Sequence, residues 1–373
     1  MNRRLFLVLF PAILLLLCRP VPLSGESTLE TRNVVLITLD GLRWQEVFTG
    51  AEEQLIDRDF GGVRDTNAIL KAFWRETPEA RREALLPFFW NTIAREGQLF
   101  GNPALNSVVE SDNGLYFSYP GYNELLTGAP DSRIDSNDKL PNPNLTVLEW
   151  LHRQPAFQGR IAAFAAWDVF PYILNQERSG IPVTAGWNPL PVEHPTPRQA
   201  LLNELIRDTT RAWDSVAYDS FVFQAVLEHL RQNQPRVLYI AFGETDDWAH
   251  DGRYDRVLLT ARQSDDYIRR LWELFQSLPA YRDLTTFIVT TDHGRGDGLI
   301  EWRHHGRDKA GSEKVWLAVL GPDTPPLGER RDAPRLALAQ TAATVAAFLG
   351  EEFDNGGDTA PPVEGVIRLR HSR

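Results

Sequence analysis

Cysteine is almost missing from this chain: Cys18 is the one cysteine among 373 residues. An intrachain disulfide framework and a thiolate-held zinc site are therefore excluded, and any metal must be held by His, Asp and Glu. Long apolar runs are scarce. The N-terminal run, residues 5–18, falls short of the ~20 residues that a helical bilayer span needs, and Pro11 interrupts it. That excludes a many-pass membrane protein. Positive charge is in deficit, with 39 Lys and Arg against 50 Asp and Glu and a formal net charge of −11. An acidic surface repels a phosphate backbone, so no nucleic-acid-binding surface is expected. Repeats and low-complexity tracts are lacking too. A composition 43% hydrophobic and 24% charged excludes a disordered or collagen-like chain.

What is present begins with Arg3 and Arg4, the apolar residues 5–18 and a polar stretch at 22–27. This is the plan of a secretory signal peptide. Cleavage is expected near Gly25, removing residues 1–25 and exporting residues 26–373 to the periplasm or the extracellular space. No stable membrane span would remain; an uncleaved anchor is the alternative. Removal would take away Arg3, Arg4, Arg19 and Cys18, leaving a more acidic, thiol-free chain suited to an oxidising compartment.

Short apolar runs then alternate with amphipathic stretches. Residues 33–39 (NVVLITL), 159–167, 236–242, 285–290 and 314–320 read as buried strands, and 77–97, 211–231, 260–275 and 333–349 as helices. Thr77-Pro78-Glu79 supplies a cap, a first-turn proline and an early acid. Pro182, Pro189, Pro191, Pro195 and Pro197 mark residues 181–197 as a surface excursion, placed as a lid or rim of a site. Alternation of this kind predicts a mostly parallel sheet covered on both faces.

Three of the strands end in acid: Asp40, then Glu244-Thr245-Asp246, then Asp292. Ligands bind outside the carboxyl ends of strands in open α/β sheets, so these carboxylates are expected at one edge. A single such Asp is ordinarily a turn or cap residue; three in one role, with histidines attached, are not. Asp246 and His250 stand four apart and share one helical face, fit to grip a metal. Asp292 and His293 adjoin just past a strand, and His305 precedes the permissive Gly306. His304 is ambiguous; His152, His194, His229 and His371 read as surface or core histidines. Imidazole with carboxylate and no thiolate suits zinc, with manganese and iron as competitors. Ser118 opens a helical stretch. It is either an N-cap or, where free helix amides and the dipole favour an anion, a nucleophile toward phosphorus. Arg295 and Arg303 flank these segments as surface residues or as a phosphate clamp.

The order of these pieces resembles the alkaline phosphatase superfamily, most closely its type I phosphodiesterase/nucleotide pyrophosphatase group. The matching segments are LITLDGLR, FSYPGYNELLTG, GETDDWAH, VTTDHG and RHHG, which together span residues 33–321. The resemblance implies a three-layer α/β/α sandwich with a mostly parallel central sheet, alkaline phosphatase-like, over residues 26–373. It also implies two divalent metal ions, usually zinc. One would be bound by Asp40, Ser118, Asp292 and His293, the other by Asp246, His250 and His305. Asn137 matches an asparagine that contacts the transferred oxyanion. The activity implied is a secreted two-metal phosphoric ester hydrolase, phosphodiesterase or phosphatase. It would act on a small-molecule phosphate ester through Ser118 and a phosphoseryl intermediate. The group's usual Thr-aromatic-Pro-Asn-His is replaced by Ser118-Tyr119-Pro120-Gly121-Tyr122. A sulfatase or phosphomutase-type enzyme of the same superfamily is the alternative, although Asn123 stands where the sulfatase pattern has Arg. A non-catalytic binding protein on this scaffold is a further one.

Overall fold

The β-branched run after Arg32 forms strand β1, Asn33–Leu39, buried along its whole length. A computed structural model describes residues 27–368 and the backbone of Arg370 and His371; the expected signal segment, residues 1–25, lies outside the described residues. Side chains of β1 alternate. Val34 and Leu36 enter one apolar cluster and Val35, Ile37 and Leu39 the other, as the two-residue period of a strand requires when both faces are covered. The other strands of this sheet are β2 (Gln98–Phe100), β3 (Ile161–Ala165), β4 (Val183–Ala185), β5 (Val237–Phe242), β6 (Thr285–Thr290), β7 (Leu317–Leu320) and β8 (Gly328–Glu329). Their spatial order is β8-β2-β7-β6-β1-β5-β3-β4. Only β7 runs against its neighbours, β2 and β6.

Six helices frame the site and its supports: α1 (Pro78–Leu85), α2 (Ser118–Thr127), α3 (Asp219–Gln232), α4 (Glu244–His250), α5 (Tyr254–Ser277) and α6 (Gln340–Phe348). Phe223 and Val226 of α3 pack with Leu258, Ile268 and Leu271 of α5 on one face of the sheet. Leu125 and Leu126 of α2 pack with Val345 and Phe348 of α6 on the other. The result is the three-layer α/β/α sandwich with a mostly parallel sheet. Among the described residues, no helix is long and apolar enough to cross a membrane.

Several element boundaries differ from the sequence reading. The stretch 77–97 is not one helix. Thr77 caps α1 as expected, accepting from the Ala80 N–H at 3.2 Å, but α1 stops before Leu86, whose φ of −125° and ψ of 67° follow from the proline after it. Helix resumes beyond Pro87 with a π-turn at Phe89–Ile93. Its start is capped from α5, where the Asp265 carboxylate accepts the Phe88 and Phe89 N–H groups at 2.9 and 3.0 Å. The helix expected over 211–231 begins only at Asp219. Residues 215–217 run beside the end of β3, held by Asp168 N–H to Ser215 O and Ala217 N–H to Ala166 O, both 2.9 Å. The strand expected over 314–320 divides at Trp316. Lys314–Val315 pairs with Val109–Glu110 in a small second sheet. Trp316 turns inward to donate from Nε1 to Leu42 O at 2.8 Å, and β7 then enters the main sheet. The helix expected over 333–349 starts at Gln340, because Leu336–Ala337 joins the same small sheet. None of the proline-rich residues 181–197 lines the cavity shared by Asp40, Ser118 and Asp246. They supply β4, the edge strand beside β3, and Pro182, Leu190 and Pro191 line a separate cavity with Phe164 and His229.

Candidate metal centre and nucleophile

Register sets the site. Leu39 of β1 is level with Phe242 of β5, and Thr38 with Thr290 of β6. Asp40, the β5–α4 turn and Thr291-Asp292-His293 therefore leave three adjacent strands side by side at their carboxyl ends. Two groups of ligand-type atoms form there, each within 4.8 Å: Asp40, Asp292 and His293, all buried, and Asp246, His250 and His305. The two sets expected from the sequence are thus brought together, and they adjoin, with His293 Nε2 3.9 Å from Asp246 Oδ1.

In the buried group each acid has one satisfied oxygen and one bare oxygen. Asp40 Oδ2 accepts from the Tyr122 hydroxyl at 2.7 Å, and Asp292 Oδ1 from the Gly41 N–H at 3.2 Å. Asp40 Oδ1 and Asp292 Oδ2 are buried with no hydrogen-bond partner, and His293 Nε2 lies 3.4 Å from each. His293 Nδ1 is 2.9 Å from the Gly294 carbonyl. That contact takes the Nδ1 proton and turns Nε2 toward the carboxylates, a donor for a cation that displaces the Nε2 proton. Two bare carboxylate oxygens and an imidazole lone pair converging on one point are the donor set of a divalent cation.

The second group repeats the device. His250 Nε2 lies 3.1 Å from Asp246 Oδ2, on successive turns of α4, and 2.9 Å from His305 Nε2. His305 Nδ1 is 3.1 Å from the Tyr116 carbonyl, so its Nε2 lone pair faces His250. Tyr116 reaches this position with a φ of 56°, a left-handed conformation that is costly for an aromatic residue.

Titration behaviour reflects the crowded charge. Burial raises Asp40, with Asp246 adding to it, and burial and Asp40 push Asp292 well above the carboxylate range. Burial opposes charge on His293 too, but Asp292, Asp40 and Asp246 carry it up to about 9. Burial and the nearby His293 hold His305 well below its usual value. Burial works against the Asp246 carboxylate as well, but Arg295 and His250 outweigh it and hold Asp246 low. Asp247 rises to about 9 through burial and the charges of Asp246, Asp40 and Asp251.

Ser118 is the first residue of α2, and Phe117, without a side-chain bond, occupies the cap position. The capping role is therefore not what Ser118 does. Its Oγ lies 3.4 Å from His293 Nε2 of the buried group, and Ser118 lines one cavity with Asp246, His250 and His305 of the other. The expected set of free helix amides is reduced: Asn137 Oδ1 takes the Tyr119 N–H at 3.0 Å, and Pro120 has none. Asn137 and Ser118 line one cavity of about 190 Å³ with Trp167, Ser215 and Asp247. His304 stays outside both groups, exposed, its carbonyl accepting from the Gly296 N–H.

Neither flanking arginine is a phosphate clamp. Arg295 is buried and donates to Asp246 and to the Trp302 and Arg303 carbonyls. Arg303 is spent on the carbonyls of Asp59 and Phe60. Arg295 instead ties Asp246 to the segment leading to His305. Sequence reading missed this brace, as it missed the Tyr122 hydroxyl on Asp40, although Tyr122 stands one helical turn from Ser118. It also missed Asp247 and Trp167 on the cavity wall, for which no spacing rule gives a signal.

No family model and no curated protein matches this chain. Solved structures do. The alkaline phosphatase PafA is 10% identical with a TM-score of 0.59, covering 90% of this chain and 99% of its own. The phosphonate monoester hydrolase SpPMH from Silicibacter pomeroyi is 14% identical with a TM-score of 0.53, covering 89% of this chain and 76% of its own. The phosphonate monoester hydrolase of Agrobacterium radiobacter is 15% identical with a TM-score of 0.51, covering 86% and 74%. The chain has the fold of the alkaline phosphatase superfamily.

Proposed function

We propose that this chain is an exported metal-dependent hydrolase of phosphoric esters, a phosphodiesterase in preference to a phosphatase, with residues 26–373 as its catalytic domain. The observation that carries this reading is Ser118, free of capping duty, with its Oγ 3.4 Å from His293 Nε2 and on one cavity with the second cluster of cation-seeking donors. Neighbours in fold include a phosphatase and phosphonate monoester hydrolases, which supports hydrolytic chemistry at phosphorus. Diesters are preferred because, among the described residues, no lysine or arginine lines the cavity, which leaves the second negative charge of a monoester to the two cations alone.

Asp40, Ser118, Asp292 and His293 would hold one divalent cation, and Asp246, His250 and His305 another. When bound, two such ions, zinc first for this donor set, supply Lewis acidity and an acidified water. Ser118 Oγ would attack phosphorus, the Oγ–P bond forming as the P–O bond to the alcohol breaks, and the proton given up by Ser118 leaves on that alcohol. Water then splits the Oγ–P bond, its oxygen staying on phosphorus and one of its protons returning to Ser118. Asn137 has its oxygen committed to Tyr119, so its Nδ2 hydrogens are the donors left for a non-bridging oxygen. Tyr122 and Gly294 hold Asp40 and the His293 tautomer in place throughout.

The test is hydrolysis of bis(p-nitrophenyl) phosphate by protein whose metal content is followed by elemental analysis. Activity should vanish on exhaustive chelation and return with zinc. Full activity in verified metal-free protein would overturn the reading.

A further inference from the structure

His305 belongs to a stretch, residues 302–313, with no helix or strand of its own. Its ring is placed by neighbours. Nε2 meets His250 at 2.9 Å, and Nδ1 meets the Tyr116 carbonyl at 3.1 Å. Two residues on, Arg307 donates from Nε to the Gly114 carbonyl at 3.0 Å. The loop leading into α2 thus receives the His305 segment at two of its carbonyls.

That loop is held from within α2. The Glu124 side chain is fully buried. Its carboxylate accepts from the Ser111 hydroxyl at 2.7 Å, from the Asp112 N–H at 2.9 Å, and from the N–H and Nδ2 of Asn113 at 3.1 and 3.0 Å. A buried carboxylate is costly unless donors surround it, and all of these donors come from residues 111–113. Asn113 passes the constraint on. Its Oδ1 accepts the Leu115 and Tyr116 N–H groups at 2.8 and 2.9 Å, as Asn does in tight turns. Tyr116 is thereby held at its φ of 56°. This angle turns the chain after a residue against the chain before it. At an ordinary negative value the Tyr116 carbonyl would leave its place relative to the anchored loop. Ser118 opens α2 and Glu124 lies within it, so one helix fixes Ser118 and, through the loop, His305.

We infer that Glu124 and Asn113 are positioning residues for a divalent cation at Asp246, His250 and His305. They act through the Tyr116 carbonyl, which accepts from His305 Nδ1 and turns Nε2 toward the cation. The inference rests on the metal reading above and is independent of which ester is cleaved.

The test is zinc binding by chelator-stripped protein, measured in competition with a chromophoric chelator that resolves two affinities. Asn113 is half-buried on a loop, so Asn113→Ala should fold. One of its two zinc affinities should fall by about 10- to 100-fold, the effect of losing an outer partner of a ligating histidine. The other should stay that of the wild type. Glu124→Gln should weaken the same ion, since an amide nitrogen replaces an acceptor among donors. In Asp246→Ala, where that ion is already weakened, Asn113→Ala should change nothing further. Rescue separates placement from folding: glycine takes a left-handed φ without strain and keeps the backbone carbonyl. Asn113→Ala/Tyr116→Gly should therefore recover part of the lost affinity. Wild-type affinities in Asn113→Ala or in Glu124→Gln would overturn the inference and leave the metal reading standing. Equal weakening of both ions, or no recovery in the double variant, would also overturn it. Wild-type protein that binds no zinc would overturn the metal reading itself, and the inference with it.

Discussion

At the scale of single residues, the two clusters of Asp and His were legible because their spacing obeys geometry. Asp246 and His250 stand four apart, and α4 sets their atoms 3.1 Å apart. Asp292-His293 follows a strand, where an abrupt turn aims both inward. What was illegible came from partners distant in sequence. Nothing in the local pattern tells that Arg295 braces Asp246, or that Tyr116 adopts a left-handed φ to meet His305. Ser118 shows the difference between position and role: its place at a helix start suited a cap, but its Oγ faces His293 Nε2. Ser118→Ala should therefore abolish phosphoenzyme formation, trapped with labelled substrate, while zinc content stays near that of the wild type, because Asp40, Asp292 and His293 remain. Asp246→Ala should instead lower zinc toward about one ion per chain, since a site stripped of one of three protein ligands binds weakly. Asp246→Ala/His250→Ala should be little worse than either single change, as residues of one unit are non-additive. Substantial turnover by Ser118→Ala would remove the covalent step.

At the scale of elements, strands were read more faithfully than helices, for a physical reason. A strand buried on both faces needs an unbroken apolar run, and Asn33–Leu39 and Thr285–Thr290 have the limits expected of them. Helix limits depend on events outside the helix. Pro87 breaks the stretch 77–97, and the tertiary partner Asp265 restarts it; the hold of residues 215–217 on β3 delays α3. Helix α2 carries Ser118 and depends on one close approach. A Cβ at Gly121 would lie 2.4 Å from the Asp292 carbonyl oxygen, inside contact distance of a backbone that cannot yield. Gly121→Ala should push α2 off the strand end that carries Asp292 and His293. Catalysis tolerates displacements near 1 Å poorly, so kcat should drop by about 100-fold. The far-ultraviolet circular dichroism should stay that of the wild type, because α2 remains a helix and alanine favours it. Unchanged kcat in Gly121→Ala would mean that the spacing of α2 from Asp292 does not govern the reaction.

At the scale of the whole molecule, the three layers are joined through contacts that cross the sequence widely, and Asp265 is one that can be read in solution. It lies on α5, is 1% exposed, and caps the start of the resumed helix at Phe88 and Phe89. Burial pushes its carboxyl up to about 7, against the two N–H groups and Arg262, which lower it. In the unfolded chain the same group titrates near 3.8. Between those values the folded protein holds a proton that the unfolded chain has lost. Stability from this group is therefore full below pH ~4, declines as pH rises, and is gone above about pH 7. Asp265→Asn removes the titration and keeps one acceptor oxygen for the helix start. Urea unfolding of both proteins from pH 4 to 8 should show the variant gaining on the wild type as pH rises, by up to about 4 kcal/mol for a shift of about three units. The gain should level off above pH 7. Other titrating groups contribute equally to both proteins, so the difference isolates this one. A difference that stays flat over the range would mean that Asp265 is ionised in the folded protein throughout, its two backbone donors outweighing burial.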